Sequence, residues 1–326
     1  MQKEQVKLKK NITDIFVLHG EMVEDNGEDW FIYSLSDKFC LLCVLDGCGG
    51  IGSRKYTEYE NKSGAFIASH IASEAVHEWF NKFSKSKKTV SGNTIAGILE
   101  DLKKAITGEL KKYESEATEN GIKGALVKSF PTTISLILFT TEGNKVYSAY
   151  IWAGDSRGYI LNERGLMQIT VDDIETRADA LDNLSSDSKL TNFVTSSGNF
   201  VLNEKLLKAS MPSVLITATD GCFGYFSTPM EFEFLLVDTL WAAKDMEDWQ
   251  KKLADRIKRI TGDDYTMGIA AVGYKNFKQL KASLTKRKRD LFRKYIAKLK
   301  EASPDEKAEL WEEYKKFYYK EVNDGQ

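Results

Sequence analysis

The sequence predicts an α+β protein in which antiparallel sheets are covered by helices. Short apolar segments of strand length occur in neighbouring pairs, and long amphipathic segments of helical length separate these groups. A parallel βαβ fold would instead alternate single strands with single helices. The composition, with 42% hydrophobic and 29% charged residues, is that of a globular chain with a core, which excludes wholesale disorder.

Seven segments have the length, apolar character and flanking turn residues of β-strands. The first two are joined by the turn-like sequence Ser36-Asp37-Lys38, which predicts a tight connection between them. In the second strand Cys40 and Cys43 are three positions apart and point to opposite faces, which favours two buried small side chains over a metal or redox pair. The predicted strands span residues 30–35, 39–45, 133–140, 145–153, 158–162, 213–218 and 267–272.

Four further segments predict helices in the body of the chain. In the first of them apolar side chains recur with a period of 3.6 residues from Phe66 to Phe80, which places them on one face. The predicted helices span residues 65–80, 94–116, 232–240 and 246–260.

Residues 275–326, which we call the tail, predict two amphipathic helices that form a hairpin. The first has apolar residues at helical spacing. The second begins with Ser303 as N-cap, Pro304 at the first position and Glu306 at the third, which is the pattern of a capping box. The apolar positions of the two helices are Leu280, Leu284, Leu291, Phe292, Tyr295, Ile296 and Leu299, and then Leu310, Trp311, Tyr314, Phe317, Tyr318 and Val322.

The formal net charge of −2 hides a strong segregation of charge along the chain. Residues 275–300 carry a net charge of +10, residues 301–326 carry −4, and residues 1–274 carry −8. The basic run 286–289 therefore has three interpretations: packing of the tail on the acidic body, docking of a protein partner, or contact with nucleic acid. The apolar stripe on the same segment favours packing and makes nucleic acid the weakest of the three.

Other classes of protein are excluded or disfavoured. No run of about 18 apolar residues is present, so we expect no transmembrane helix. The polar, lysine-rich start of the sequence is unlike a signal peptide, and four cysteines are too few for a disulfide framework in a chain of 326 residues. We therefore expect a cytoplasmic protein that does not associate with membranes.

Four acidic positions share one local context at the ends of predicted strands. Asp46, Asp155 and Asp220 each end an apolar run, and Asp263 precedes the last predicted strand. Each has a glycine close by that lets the backbone turn. If the strand ends converge, the carboxylates repel one another unless a cation neutralises them. Oxygen donors without histidine favour Mg²⁺ or Mn²⁺ over zinc.

The ordered motifs ED, DGCGG, GDSR, TDG and DDYT resemble those of the metal-dependent serine/threonine protein phosphatases of the protein phosphatase 2C family. The resemblance runs from about residue 12 to residue 274. It implies a four-layer α-β-β-α sandwich of two antiparallel sheets flanked by helices, with metals bound at one end, and the tail adds a C-terminal helical extension. The chain then divides into an N-terminal segment (1–11), a catalytic domain (12–274) and the tail (275–326).

The same resemblance implies roles for individual residues. Asp46 bridges two Mg²⁺ or Mn²⁺ ions, and the carbonyl of Gly47 ligates one of them. Asp220 and Asp263 complete the first metal site, and Asp155 forms a third, weaker site together with Asp220. The acidic pair formed by Glu28 and Asp29 holds metal-bound waters. A metal-bound hydroxide is then the nucleophile, so no nucleophilic side chain of the protein is needed.

One position departs from the family pattern. Many members have an arginine four residues before the glutamate, where it contacts the substrate phosphate, whereas this chain has Glu24. Arg54, Lys55 and Lys62 are the candidate replacement cations.

The resemblance implies hydrolysis of phosphoserine and phosphothreonine in proteins, with phosphorylated proteins as partners and signalling as the setting. Two alternatives remain open. A pseudophosphatase adaptor would use the same fold to bind a partner, with the tail as its docking surface. A small-molecule phosphatase would share the chemistry and differ in its substrate.

Overall fold

Two five-stranded antiparallel sheets face each other in the computed structural model. The model describes residues 8, 10–86, 89–118, 130–175, 179–184 and 189–323. The strand order is β1-β12-β11-β8-β9 in the first sheet and β10-β7-β6-β3-β2 in the second, and β4 and β5 form a separate ribbon. Residues 1–7 and 9 of the predicted N-terminal segment lie outside the described residues.

The bounds of the strands agree closely with the predicted ones where a strand was predicted. The twelve strands are β1 (Ile12–Gly20), β2 (Asp29–Leu35), β3 (Cys40–Asp46), β4 (Lys55–Tyr56), β5 (Lys62–Ser63), β6 (Ile134–Glu142), β7 (Lys145–Ala153), β8 (Arg157–Asn162), β9 (Gly165–Gln168), β10 (Asn203–Ser210), β11 (Ser213–Ala218) and β12 (Tyr265–Val272). The sequence patterns did not identify β1, β4, β5, β9 and β10.

The four helices predicted in the body are present and slightly shifted or extended at their ends. The helices are α1 (Gly49–Gly52), α2 (Gly64–Lys85), α3 (Ile95–Thr118), α4 (Ala180–Asn183), α5 (Pro229–Ala242), α6 (Met246–Lys258), α7 (Phe277–Leu291), α8 (Ala297–Leu299), α9 (Pro304–Tyr318) and α10 (Lys320–Asn323). A π-helical segment, Phe292–Ile296, connects α7 to α8, and two short 3₁₀ turns span Thr57–Tyr59 and Asp220–Cys222.

The sandwich has an apolar layer between the sheets and one outside each sheet. Leu42 and Ile137 of the second sheet meet Ile160 and Leu215 of the first in the central layer. Helices α2 and α3 cover the outer face of the second sheet, and α5 and α6 cover the outer face of the first. The expected four-layer α-β-β-α arrangement is confirmed.

The two cysteines of β3 are both buried and divide between these layers, as their spacing predicts. Cys40 belongs to the central layer and Cys43 to the layer beneath α2 and α3. The alternation of side chains along a strand therefore separates the two thiols.

The tail packs on the body, in the same apolar cluster as the first sheet and helices α5 and α6. Its buried side chains include Leu280 and Leu284 from α7 and Trp311 from α9. The capping box at the start of α9 is present, with Ser303 and Glu306 in the expected roles. The prediction that Phe292 lies on the buried face is wrong, since this residue is 44% exposed. The π-helical segment begins at Phe292, and its wider turn changes the spacing of the apolar face there.

A buried carboxylate anchors the tail to α5. Glu233 is completely buried and binds the guanidinium of Arg287 through two contacts of 2.6 Å, to Nε and Nη2. The hydroxyl of Tyr314 donates to the same carboxylate at 2.7 Å. Lys288, next to Arg287, pairs with Asp238 at 2.9 Å. Arg287 and Lys288, two of the four residues of the basic run 286–289, therefore form ion pairs within the molecule.

Among the residues for which a placement is given, no helix is both long enough and apolar enough to cross a bilayer.

Candidate metal centre

The acidic residues singled out in the sequence lie at one end of the sandwich. Asp29, the first residue of β2, faces Asp46, the last residue of β3, in the antiparallel register. Asp220 follows β11 and Asp263 precedes β12, and these two strands are neighbours in the opposite sheet. The structure thus brings together carboxyl groups that are far apart in the sequence.

Asp29 is the most buried member of this group, with 2% of its surface exposed. Its carboxylate accepts a hydrogen bond of 2.7 Å from the hydroxyl of Thr219, which in turn accepts one of 2.9 Å from the N–H of Thr266. Burial, and then the charge of Asp220, raise the pKa of Asp29 well above its ordinary value. Asp29 is therefore a buried strand residue, not a solvated loop acid.

Asp46 and Asp220 are in direct contact across the two sheets. The carboxyl groups of Asp46 and Asp220 lie within hydrogen-bonding reach of each other. Burial, and then the charge of Asp220, raise the pKa of Asp46 well above the usual range. The backbone carbonyl of Asp46 is held by the N–H of Thr133 at 2.7 Å and the hydroxyl of Thr132 at 2.9 Å. This end of β3 is therefore fixed by its neighbours before any ligand binds.

The glycine after each of these two aspartates is required by close packing. A Cβ atom on Gly47 would lie 2.5 Å from the carbonyl oxygen of Ala65, and one on Gly221 would overlap the carbonyl oxygen of Asp264. Any side chain at either position would push the preceding carboxylate out of the group.

Glu28 reaches the same end from the loop between β1 and β2. Its Oε1 accepts a hydrogen bond of 2.5 Å from the hydroxyl of Ser63, and its backbone N–H donates to Oδ2 of Asp264 at 2.7 Å. Burial raises the pKa of Glu28, and the hydrogen bond from Ser63 opposes that shift. Its orientation is thus set by two residues distant in sequence.

The two aspartates before β12 have different surroundings. Asp263 is exposed as a residue, but nearby protein atoms partly desolvate its carboxyl, and this desolvation and the charge of Asp220 raise its pKa. Asp264 accepts a second hydrogen bond of 2.7 Å, from the N–H of Met22 to Oδ1. Asp264 therefore holds the loop between β1 and β2, while Asp263 faces the acidic group.

The GDSR turn between β7 and β8 contributes Asp155 to the centre. Burial, and then the charge of Asp220, raise the pKa of Asp155 to about 8. The charge of Arg157 opposes this shift only in part. Its guanidinium pairs with Asp172 in a buried fork, with Nη2–Oδ2 at 2.6 Å and Nε–Oδ1 at 2.9 Å. The backbone N–H of Gly154 donates to Asp173 at 3.0 Å.

Sequence reasoning missed Asp172 and Asp173, which hold the GDSR turn. The signal that was available is the pair of acids that follows β9 after three intervening residues. A cavity of about 250 Å³ lies between this pair and the acidic group, and its lining includes Asp155, Asp172 and Asp220.

The donor atoms fit a hard divalent cation. The charges that act most strongly on Asp46 belong to Asp220, Asp29, Asp155 and Asp263, which are all acids. Within the part of the chain that the structure describes, no three His, Cys, Asp or Glu side chains are yet arranged so that they could hold a metal ion. The carboxyls of Asp46 and Asp220 nevertheless lie close enough to repel each other when both are ionised. Carboxylate oxygens with this mutual repulsion suit Mg²⁺ or Mn²⁺.

The three candidate phosphate-binding cations differ in where they point. Arg54 is exposed and lies over the ring of Tyr56 at 5.1 Å, and Lys55 is exposed on β4. Lys62 reaches toward the loop between β1 and β2, where its ammonium donates to the carbonyl of Asp25. Of the three, Lys62 is the cation that touches the loop carrying Glu28.

Glu24, which occupies the position of the family's arginine, is exposed in the same loop. Its carbonyl accepts a hydrogen bond of 3.1 Å from the side chain of Asn26, which also accepts one of 3.3 Å from Lys62. The ammonium of Lys62 is therefore held close to this part of the loop.

Comparison with known proteins identifies the family and the fold of the chain. The family model described as Protein phosphatase 2C matches residues 21–258. No curated protein matches the chain. Solved structures match most of its length at low sequence identity, which shows a common fold.

Three of these structures are bacterial serine/threonine phosphatases. Stp1 of Staphylococcus aureus has 18% identity and a TM-score of 0.59, covering 80% of this chain and 95% of its own. PstP/Ppp of Mycobacterium tuberculosis has 18% identity and a TM-score of 0.54, covering 80% of this chain and 99% of its own. The phosphatase of S. agalactiae has 16% identity and a TM-score of 0.57, covering 79% and 99%. This chain belongs to the protein phosphatase 2C family and is a protein serine/threonine phosphatase that depends on Mg²⁺ or Mn²⁺.

Proposed function

We propose that the chain hydrolyses phosphoserine and phosphothreonine in proteins at a binuclear Mg²⁺ or Mn²⁺ centre built on Asp46. The observation that carries the proposal is the close approach of Asp46 and Asp220, two carboxyls from opposite sheets, where burial and then the charge of Asp220 raise the pKa of Asp46. A related phosphatase catalytic domain, PstP, has been solved with two manganese ions. When bound, such ions lower the pKa of a shared water and neutralise phosphoryl oxygens.

The residues that would hold the ions come from both sheets. Asp46, the carbonyl of Gly47, Asp220 and Asp263 would hold the two ions. Asp155 would form a third, weaker site with Asp220. This assignment is supported by the common location of these oxygens and by the absence of a compensating cation among the groups that act most strongly on Asp46.

Glu28 and Asp29 would orient water at the centre instead of forming the main metal contacts. Asp29 is held rigidly by the hydroxyl of Thr219 at 2.7 Å, and Glu28 by the hydroxyl of Ser63 at 2.5 Å. Both carboxylates keep a second oxygen for a water molecule. Water held at a fixed angle to the phosphorus lowers the entropic cost of in-line attack.

Lys62 would bind the substrate phosphate in place of the family's arginine. It is supported over Arg54 and Lys55 by its contact with the loop between β1 and β2. A single ammonium binds phosphate as a point charge, without the two-pronged fit of a guanidinium.

The proposal is tested by replacing the two central carboxylates with amides. Asp46→Asn and Asp220→Asn should each lower the hydrolysis of p-nitrophenyl phosphate and of a phosphothreonine peptide by roughly 100-fold or more, because metal ligation is lost. Calorimetric titration with Mn²⁺ should show weakened binding, and circular dichroism an unchanged fold. Asp37→Asn, in the exposed turn after β2, is the matched control and should behave as wild type.

Other outcomes would identify the alternatives. If the wild-type protein binds no Mn²⁺ and turns over neither substrate, the chain is an adaptor. The tail is then the first surface to test for binding of a partner. Turnover of small phosphate esters without turnover of phosphopeptides would indicate a small-molecule phosphatase. Full activity in either amide variant would overturn the site itself.

A further inference from the structure

Residues 169–202 connect the edge strands β9 and β10, and their described parts (169–175, 179–184 and 189–202) include a segment that contacts the GDSR turn through Asp173. We call this connection the flap. Its short helix α4 (Ala180–Asn183) lies against α9, the last long helix of the tail. The two segments are far apart in the sequence, so this contact closes a long loop of the chain.

The start of α4 is held by two side chains of α9. The carboxylate of Asp179 accepts a hydrogen bond of 2.7 Å from the indole N–H of Trp311 and one of 3.3 Å from the ammonium of Lys315, both to Oδ2. Its other oxygen caps α4 by accepting from the N–H of Leu181 at 3.1 Å. One carboxylate thus joins the flap helix to the tail helix.

A second contact lies directly beside the first. The backbone N–H of Ala180 donates a hydrogen bond of 2.6 Å to the hydroxyl of Tyr319, the residue that follows α9. Ala180 is 1% exposed and belongs to the same apolar cluster as Trp311 and Tyr318. The flap helix is therefore bound to the tail by both polar and apolar contacts.

The other end of α4 reaches the GDSR turn. The side-chain amide of Asn183 donates to Oδ2 of Asp172 at 3.0 Å, and Asp172 holds Arg157 in the buried fork. The side chains of Arg157 and Asp172 are only 3% and 5% exposed. A change in the position of α4 therefore acts on a buried ion pair, not on a solvated one.

The ion pair in turn borders the acidic centre. Arg157 and Asp172 line the cavity of about 250 Å³ together with Asp155 and Asp220. The guanidinium of Arg157 also lies over the ring of Phe223, 4.3 Å from its centroid. A continuous set of contacts thus runs from the tail through the flap to the Asp172–Arg157 pair, which lines the same cavity as Asp155.

We propose that helix α9 is a clamp that fixes the flap, and that Asp179, Trp311 and Tyr319 are positioning residues for the Asp155 side of the metal centre. Asn183 is the link between the clamp and the Asp172–Arg157 pair. The effect on the centre rests on the proposed function, whereas the clamp itself does not. Loosening the clamp allows the ion pair to shift and weakens cation binding at Asp155 more than at Asp46.

The test uses Trp311→Phe and Tyr319→Phe in the full chain, because both keep an aromatic side chain and remove the polar contact with the flap. Tyr319→Phe loses only the hydroxyl, whereas Trp311→Phe also reduces the size of a buried ring. Hydrogen exchange of the amides at residues 179–184 should become roughly three- to tenfold faster, the factor expected from one lost hydrogen bond. The Mn²⁺ concentration that gives half-maximal hydrolysis of p-nitrophenyl phosphate should rise severalfold. The kcat at saturating Mn²⁺ should stay close to wild type.

Tyr314→Phe is the matched control on the same helix. Its hydroxyl donates to Glu233 at 2.7 Å, so it also loses a buried hydrogen bond, but this bond does not reach the flap. The control should lower the melting temperature while leaving flap exchange and the Mn²⁺ requirement unchanged.

Unchanged flap exchange in both variants, or an equal acceleration in Tyr314→Phe, would overturn the clamp. Faster exchange with an unaltered Mn²⁺ requirement would overturn its effect on the Asp155 side. The exchange measurement needs neither metal nor turnover, so it distinguishes failure of the clamp from failure of the proposed function. A wild-type chain without Mn²⁺-dependent turnover would contradict only the latter.

Discussion

The Oδ2 atom of Asp264 accepts a hydrogen bond of 2.7 Å from the backbone N–H of Glu28, which ties the residues before β12 to the loop before β2. The Oδ1 atom accepts a second bond of 2.7 Å from the N–H of Met22, at the start of the same loop. One carboxylate therefore closes the loop at both ends. The two consecutive aspartates have separate tasks, since Asp263 faces the acidic group while Asp264 shapes its surroundings.

Replacing Asp264 with alanine should release this loop without removing a proposed metal ligand. Two charge-assisted hydrogen bonds are lost, so we expect the free energy of unfolding to fall by about 1.5–3 kcal/mol. The kcat should fall by roughly tenfold because Glu28 is no longer held in one orientation. Urea unfolding and steady-state kinetics measure the two effects, and Asp25→Ala, at an exposed position in the loop, is the control. An unaltered kcat in Asp264→Ala would contradict the positioning role.

Lys62→Met should raise the KM for a phosphothreonine peptide with a smaller effect on kcat. Loss of a charge-assisted contact with phosphate costs about 1.5 kcal/mol or more, which corresponds to at least roughly a tenfold change in KM. Lys62→Arg keeps the charge and should retain most of the affinity. The same measurement on Lys55→Met provides a comparison at a neighbouring exposed cation. Equal effects of the two methionine variants would exclude a special role for Lys62.

Binding of Mn²⁺ at neutral pH should release protons. The carboxyl of Asp155 has its pKa raised to about 8, so it is mostly protonated at pH 7, whereas a cation binds the ionised form. Calorimetry in buffers with different ionisation enthalpies measures the number of protons released. Asp155→Asn should release fewer protons than wild type, and equal release by both proteins would contradict the assignment of Asp155.

The same shift predicts how the stability of the metal-free protein depends on pH. A raised carboxyl pKa means that the folded state binds the proton more tightly than the unfolded state, whose reference value is 3.8. The resulting stability is fully present below that reference value and is lost as the pH rises through about 8. With EDTA present, the melting temperature should therefore fall from pH 5 to pH 8.5, and less steeply in Asp155→Asn. A flat profile in both proteins would contradict this prediction.

Arg287→Met should destabilise the chain strongly, because it leaves the buried Glu233 carboxylate without its cation. Breaking a buried ion pair in this way typically costs about 3–5 kcal/mol. The control is Lys294→Ala, which removes a contact of 3.9 Å to Glu313 between side chains that are 63% and 60% exposed. Such surface pairs contribute about 0–1 kcal/mol. Guanidinium-induced unfolding measures both variants, and similar losses would mean that the tail is not anchored through Glu233.

Strands in the middle of the sheets could be predicted from the sequence, whereas several edge strands could not. The residues of β3, β6 and β11 are buried almost throughout, so their sequences are continuous apolar runs. The strands β9 and β10 lie at sheet edges. The strand β10 has the sequence NEKLLKAS and only one buried residue. Its charged side chains interrupt the alternation of apolar and polar residues by which a strand is recognised.

The candidate site was predictable to the extent that its residues occupy strand ends. A carboxylate between an apolar run and a glycine is visible locally, which is why Asp46 and Asp220 could be found. The groups that hold the site are visible only after folding. The partnership of Thr219 with Asp29, and that of Asp172 with Arg157, depend on packing between distant segments.

The buried carboxylate of Glu233 lies earlier in the sequence than both side chains that bind it. It emerges from the ribosome before Arg287 and Tyr314, the two residues that satisfy it. Until they arrive, the carboxylate of Glu233 has neither its cation nor its hydroxyl donor, and burying it unpaired would be costly. A chain cut short before residue 287 would therefore leave Glu233 unpaired on the surface of α5, and we expect such a chain to be less stable than the full one.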